Sequence, residues 1–276
     1  MAQHQKAQAS GHYALPDHSL ALRAGIIFCT FINRTSLSTP LPMPDTVQTL
    51  RDNLEEVQSK IKTATDRAGR SSDSVQLIAV CKYVDAATTA LIVSAGCNAV
   101  GESRPQVLWD KHETLGDTDV QWHMIGHLQR NKVKRTLAAA DWVHSIDSER
   151  LLRAVIDAAT ESQKPVDCLL EVNISGESAK HGLDESELES ILAIVDQESP
   201  VSIRGLMGMA SLSGSAADNQ REFSELREIR DRIQSKVGDA FQLTELSMGM
   251  SGDFEAAIAE GSTMIRVGSM LFKGIE

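Results

Sequence analysis

The chain has 276 residues, a formal net charge of -11, and 42% apolar and 24% charged residues. That length suits one large domain or two small ones with a substantial core, and an acidic balance argues against nucleic acid as a partner, because phosphates repel acidic surfaces. No apolar run approaches the ~18 residues that a membrane span needs, and the four cysteines (Cys29, Cys81, Cys97 and Cys168) show no CxxC pairing and no zinc-ligand spacing, which points to a reducing, cytoplasmic setting.

Residues 1–44 differ from the rest. They hold Pro16, Pro40, Pro42 and Pro44, many Ser and Thr, and no helical periodicity, which predicts disorder. Acidic residues are scarce there, so a targeting peptide is an alternative, although the apolar run from Gly25 to Ile32 has no clear small-residue cleavage site after it. The preferred reading is a misread extension upstream of a true start at Met43, with one folded domain over 45–276.

From Asp45 the pattern becomes regular. Val47, Leu50, Leu54, Val57, Ile61, Ala64 and Ala68 recur at steps of three and four, the apolar stripe of a helix. Asp45 with Gln48 reads as a capping box and Gly69 as the stop. Eight short apolar runs follow, at 75–80, 98–101, 121–125, 142–146, 168–174, 202–207, 243–248 and 263–267. Each gap between them can hold a helix, as at 151–159, 185–195 and 219–237. Strands alternating with helices make parallel βαβ units. Eight of them fit an α/β fold of the (β/α)8 TIM-barrel type, usually ~250 residues, with an added N-terminal helix. The rival, an open doubly wound sheet, would normally show a glycine-rich first turn, and this one reads Cys81-Lys82-Tyr83-Val84-Asp85.

Barrel enzymes carry their chemistry at the C-terminal ends of the strands. With a period of two, Gln76, Ile78, Val80 and Lys82 share one face; so do Glu245, Ser247 and Gly249, and so do Met264, Arg266 and Gly268. A lysine, a serine and an arginine thus point into one mouth. A lysine directly after an apolar strand is costly unless it is paired or deprotonated; its functional reading is an amine available for a Schiff base, and the blander and commoner alternative is a surface lysine in a loop. Gly268-Ser269 and Ser247-Met-Gly-Met-Ser251 place small residues at the ends of strands seven and eight, where such barrels often bind phosphate. Each segment alone is ordinary turn chemistry. With Lys82 they describe a small phosphorylated aldehyde.

Other motifs read more blandly. His123 and His127 have helical zinc spacing but sit on a strand that leaves through Gly126, so the rings need not converge and a packed or hydrogen-bonded histidine is the better reading of each. His123 and His144 are placed at the barrel mouth. Glu171 ends the fifth strand with no obvious second acid for paired-carboxylate hydrolysis. Trp109, Trp122 and Trp142 read as packing, and Lys132-Val-Lys-Arg135 as a solvated helix face.

At these residues the chain resembles the pyridoxal phosphate homeostasis proteins, from about residue 46 to 274. The segments are Leu77-Ile-Ala-Val-Cys-Lys82, Trp122-His-Met-Ile-Gly-His-Leu-Gln-Arg-Asn-Lys132, His144-Ser-Ile-Asp-Ser148, Val172-Asn-Ile-Ser-Gly-Glu177 with Lys180-His-Gly182, Gly205-Leu-Met207, Leu246-Ser-Met-Gly-Met-Ser251 and Ile265-Arg-Val-Gly-Ser269. The resemblance implies a fold like the N-terminal barrel of alanine racemase, pyridoxal 5'-phosphate (PLP) on Lys82, Arg266 facing the pyridine nitrogen, and Ser247, Gly268 and Ser269 on the phosphate. It implies a monomer, with apo forms of PLP-dependent enzymes as partners. One loop departs: the family's Gly-Glu-Asn-Tyr is here Gly101-Glu-Ser-Arg104, so that loop's contact to the cofactor is not carried over.

A PLP carrier without catalytic or metal residues is the leading expectation, a PLP-dependent amino-acid racemase the alternative, and a ligand-free structural barrel the third. An arginine at the pyridine nitrogen weakens the ring as an electron sink, which racemases tolerate. Two-base racemization, however, needs an acid–base group on each face of the reacting carbon. The resemblance implies that racemases draw the second from a C-terminal β domain, for which the sequence, ending at Glu276, leaves no room.

Overall fold

The computed structural model describes residues 44–276 apart from 117, 176–180, 197, 212, 213 and 276. The expected disorder or misreading of 1–44 therefore lies outside the described residues, save for Pro44. The elements run in the order α1 (Pro44–Arg67), β1 (Gln76–Val80), α2 (Ala86–Ser94), β2 (Ala99–Glu102), α3 (Pro105–Leu115), β3 (Gln121–Met124), α4 (Val133–Ala139) and β4 (Trp142–Ile146). They continue as α5 (Glu149–Ser162), β5 (Val166–Glu171), α6 (Glu185–Leu192), β6 (Val201–Met207), α7 (Ala216–Val237), β7 (Glu245–Met250), α8 (Phe254–Ala259) and β8 (Met264–Val267). The eight strands are parallel and close into a barrel, with β8 hydrogen-bonded to β1. Parallel strands need crossover connections, and the amphipathic segments between the runs supply them.

The first helix shows how the sequence builds the ring. Its stripe of Leu50, Leu54, Val57, Ile61 and Ala64 is buried, each large side chain contributing roughly 1.5–3 kcal/mol. Helix α1 packs on α8 and α2, the position a helix after β8 would otherwise fill. Asn53 Nδ2 fastens it by donating to Leu271 O and Lys273 O, both at 3.0 Å. Gly69 stops it at φ +67°, where the Gly69 and Arg70 amides close on Asp66 and Thr65 carbonyls. The expected capping box differs: the Gln48 amide donates forward to Asp52 at 2.8 Å, and Pro44, which lacks an amide hydrogen, opens the helix.

Inside the barrel the period-two reading holds. Ile78, Ala99, Trp142, Leu169, Met207 and Met264, from six strands, form a cluster separate from the sheet–helix core. Gln76 and Gln121 bond at 2.6 Å near the N-terminal end. The register slips between Cys168 and Leu169, leaving Arg204 as an extra residue before Gly205. A Cβ on Gly205 would lie 1.8 Å from Glu245 O, so the β6–β7 approach at this bulge depends on glycine. Gly205→Ala is expected to destabilise the protein by about 3 kcal/mol and lower its melting temperature by roughly 5–10 °C. An unchanged melting temperature would contradict that account.

Candidate functional site

At the C-terminal end of the barrel lies an open pocket of about 750 Å³, within the range of small-molecule sites. Val80, Ile125, Met250 and Phe272 give it apolar walls, and Lys82, Ser103, Ser251, Arg266, Gly268 and Ser269 its polar groups. Lys82 stands two residues past β1 and is half-buried. Its ammonium lies 5.0 Å from the Tyr83 ring centroid and, among the described residues, has no hydrogen bond or ion pair. Its backbone is held firmly. Arg104 donates to Lys82 O at 3.2 Å, and Lys111 donates to Cys81 O at 2.7 Å. Lys111 also pairs with Glu102 at 2.5 Å, and both side chains are buried.

Arg266 arises from the inner face of β8 and is 4% exposed. It donates from Nη1 to Ser247 Oγ at 2.6 Å and from Nη2 to Gly208 O at 3.0 Å. No carboxylate among the described residues pairs with it. Burial pushes the guanidinium down to about 10, opposed by the charges of Glu171 and Asp253. A buried cation without a paired anion is expensive, and this one lines a pocket where a ligand can meet it.

Beneath Arg266 a polar chain crosses the barrel. His144 Nδ1 lies 2.9 Å from Ser247 Oγ, and His144 Nε2 lies 2.9 Å from His123 Nδ1. Both rings are fully buried. Burial lowers His123 to about 3; it lowers His144 well below the usual histidine range, helped by the charges of His123 and Arg266. Both are neutral at pH 7. His123 and His144 thus lie below the mouth rather than on the pocket wall.

Of the expected site residues, Lys82, Arg266, Gly268 and Ser269 meet at the pocket. Ser247 does not line it, since its Oγ is taken by Arg266 and His144. The small residue on the wall is Ser251, whose Oγ accepts from the Gly268 amide at 3.2 Å. Ser103, which the departing loop left unassigned, also lines the pocket. Gly268 approaches β1 closely: a Cβ there would meet Val80 O at 3.1 Å.

The structure also supplies the second acid the sequence did not reveal. Burial first, then the charge of Asp147, raises Glu171 to about 7, against Arg266 and His127. His127 Nδ1 lies 3.0 Å from Asp147 Oδ2, and His181 Nδ1 lies 4.0 Å from the same oxygen. The two rings stack at 4.6 Å and 20°, so their in-plane lone pairs run side by side rather than converging on one ion. His123 faces the barrel interior and His127 is exposed.

The closed parallel barrel carries Lys82 and the buried Arg266 at its C-terminal mouth, and the family model described as alanine racemase, N-terminal domain, matches residues 50–275. The chain belongs to this family and, within it, to the pyridoxal phosphate homeostasis proteins. The pyridoxal phosphate homeostasis protein of Aquifex aeolicus is 35% identical over 221 residues, covering 80% of this chain and 96% of its own. The solved structure of PipY from Synechococcus elongatus with PLP bound is 36% identical, with a TM-score of 0.72 over 81% of this chain and 99% of its own. Alanine racemase from Corynebacterium glutamicum shares the fold at 14% identity, with a TM-score of 0.59 over 83% of this chain and 63% of its own.

Proposed function

We propose that residues 45–276 form one PLP-binding domain and that the chain buffers or delivers this cofactor rather than turning over a substrate. The observation that carries the reading is that one open pocket holds a lysine amine without a hydrogen bond and a buried arginine without a paired carboxylate among the described residues. Both fit PLP, which supplies an aldehyde that an amine can hold covalently and a conjugated ring that withdraws electrons. Lys82 would hold the aldehyde carbon as a Schiff base. Arg266, which has only donors, would face the pyridine nitrogen and keep it unprotonated. Gly268, Ser269 and Ser251 would hold the phosphate on a turn of small residues. Apo forms of PLP-dependent enzymes are the recipients this reading implies.

The pocket wall favours a carrier over a racemase. Apart from Lys82 and Arg266, its only titratable side chain among the described residues is that of Tyr83, which is 88% exposed. Two-base chemistry needs an acid–base group on the face opposite the lysine, and an open, wet mouth serves exchange better than carbanion chemistry. No helix among the described residues is long and apolar enough to cross a membrane. The relatives named for PLP homeostasis point the same way.

The test is to titrate the protein with PLP, reduce with borohydride and map the labelled peptide. Stoichiometric label on the peptide containing Lys82, with no racemization of added amino acids, is the expected result. Label scattered over surface lysines would remove the site, and steady racemization would replace the carrier with an enzyme.

A further inference from the structure

We propose that Ser247, His144 and His123 form a one-directional hydrogen-bond relay that holds Arg266 against the cofactor ring, making them positioning residues. The proposal rests on the PLP reading above.

The direction follows from counting hydrogens. The guanidinium can only donate, so Ser247 Oγ accepts from Arg266 Nη1. If the Ser247 hydroxyl then donates to His144 Nδ1, His144 carries its proton on Nε2. It donates in turn to His123 Nδ1, leaving the His123 proton on Nε2. That arrangement leaves one buried group unmatched, the His123 Nε2–H, and this atom is indeed buried without a partner. Reversing the chain would make Ser247 accept from both neighbours. Its own hydrogen and the His123 Nε2 lone pair would then both go unmatched, and a buried unmatched group is costly. The forward direction is therefore preferred. Each donor in it polarises the next, which strengthens the bond on Arg266.

The relay also explains why no carboxylate among the described residues pairs with Arg266. A carboxylate there would pair with the guanidinium directly and compete for the donors it offers the pocket. A neutral serine–imidazole chain fixes one Nη1 hydrogen, Gly208 O fixes one on Nη2, and the remaining N–H groups stay available to a ligand. The three relay side chains come from β3, β4 and β7 and are fully buried, so the anchor is carried by strands rather than loops.

The experiment compares PLP release from wild type, Ser247→Ala, Ser247→Thr and His144→Phe, followed by the visible band. Release is expected to quicken roughly ten- to hundredfold in Ser247→Ala, the loss of a bond to a buried cation. It should quicken less in His144→Phe and return toward wild type in Ser247→Thr, which keeps the hydroxyl. Nitrogen-15 spectra of the histidine rings should show His123 and His144 as neutral Nε2–H tautomers at pH 7; the opposite tautomers would overturn the direction of the relay. Wild-type release rates in Ser247→Ala, with the band intact, would overturn the relay and leave the PLP reading standing. A wild type without a band removes the PLP reading instead, and a band that survives Lys82→Ala removes only its anchor at Lys82. The relay is then read from the ligand-free crystal structure of Ser247→Ala: an Arg266 that leaves its place supports it, and an unmoved Arg266 overturns it.

Discussion

Lys82→Ala is expected to abolish the visible Schiff-base band and weaken PLP binding by roughly 10²-fold or more, the loss of a covalent anchor held in place by the fold. The ligand-free protein should melt within about 2 °C of wild type, because the substitution removes no side-chain hydrogen bond or ion pair among the described residues. The lysine ammonium lies over the face of Tyr83, itself 88% exposed. The bonds that hold this turn are made to the backbone carbonyls of Cys81 and Lys82 and survive any change of side chain. Lys82→Arg separates charge from covalency. It keeps a cation at the mouth but offers no amine for condensation, so it should lose the band as completely as alanine while retaining part of the phosphate attraction. Absorbance titration and dialysis against PLP measure both quantities. A band of wild-type strength in either variant would move the anchor to another lysine.

Much of this site was legible because its parts obey local rules. The stripe on α1, its glycine stop and the eight apolar runs all carry the periods of their elements, and the parity of β1 and β8 placed Lys82 and Arg266 on one mouth. What failed was register. The seventh run reads as ending at Met248, which makes Ser247 a strand-end residue, whereas β7 continues to Met250. That shift of two residues puts Ser251 at the pocket and sinks Ser247 into the barrel. No local signal marks the difference, because Gly249 interrupts the apolar pattern within the strand. The partners of Ser247 were equally hidden, since His144 is 103 residues away and only barrel closure brings them together. The capping reading at Asp45 failed for the opposite reason, an equally local competitor: Asp52 lies one turn along from Gln48 and takes its amide.

Lys111→Met is expected to lower the melting temperature by roughly 10 °C, a cost of about 3–5 kcal/mol. Lys111 on α3 and Glu102 at the end of β2 form a buried pair, 4% and 0% exposed. Glu102 Oε2 already has no partner. Removing the lysine leaves a whole buried carboxylate uncompensated, which costs far more than the intact pair is worth. Replacing both by apolar groups, Lys111→Met with Glu102→Leu, should therefore restore most of the lost stability. Function should not follow stability through this cycle. Lys111 also donates to Cys81 O, the carbonyl directly before Lys82, and that bond is missing in the single and the double variant alike. The carbonyl keeps one partner, the Val84 amide at 3.1 Å, so the turn stays folded but loses one of its two anchors. PLP release should thus be faster by about tenfold in both variants, the worth of one charge-assisted bond. Melting curves and release rates on wild type and these two variants decide it. A double variant that regains stability but not PLP retention makes Lys111 a positioning residue for Lys82. One that regains both reduces the pair to a strut between α3 and the barrel, and one that stays as unstable as the single variant contradicts the buried-charge account itself.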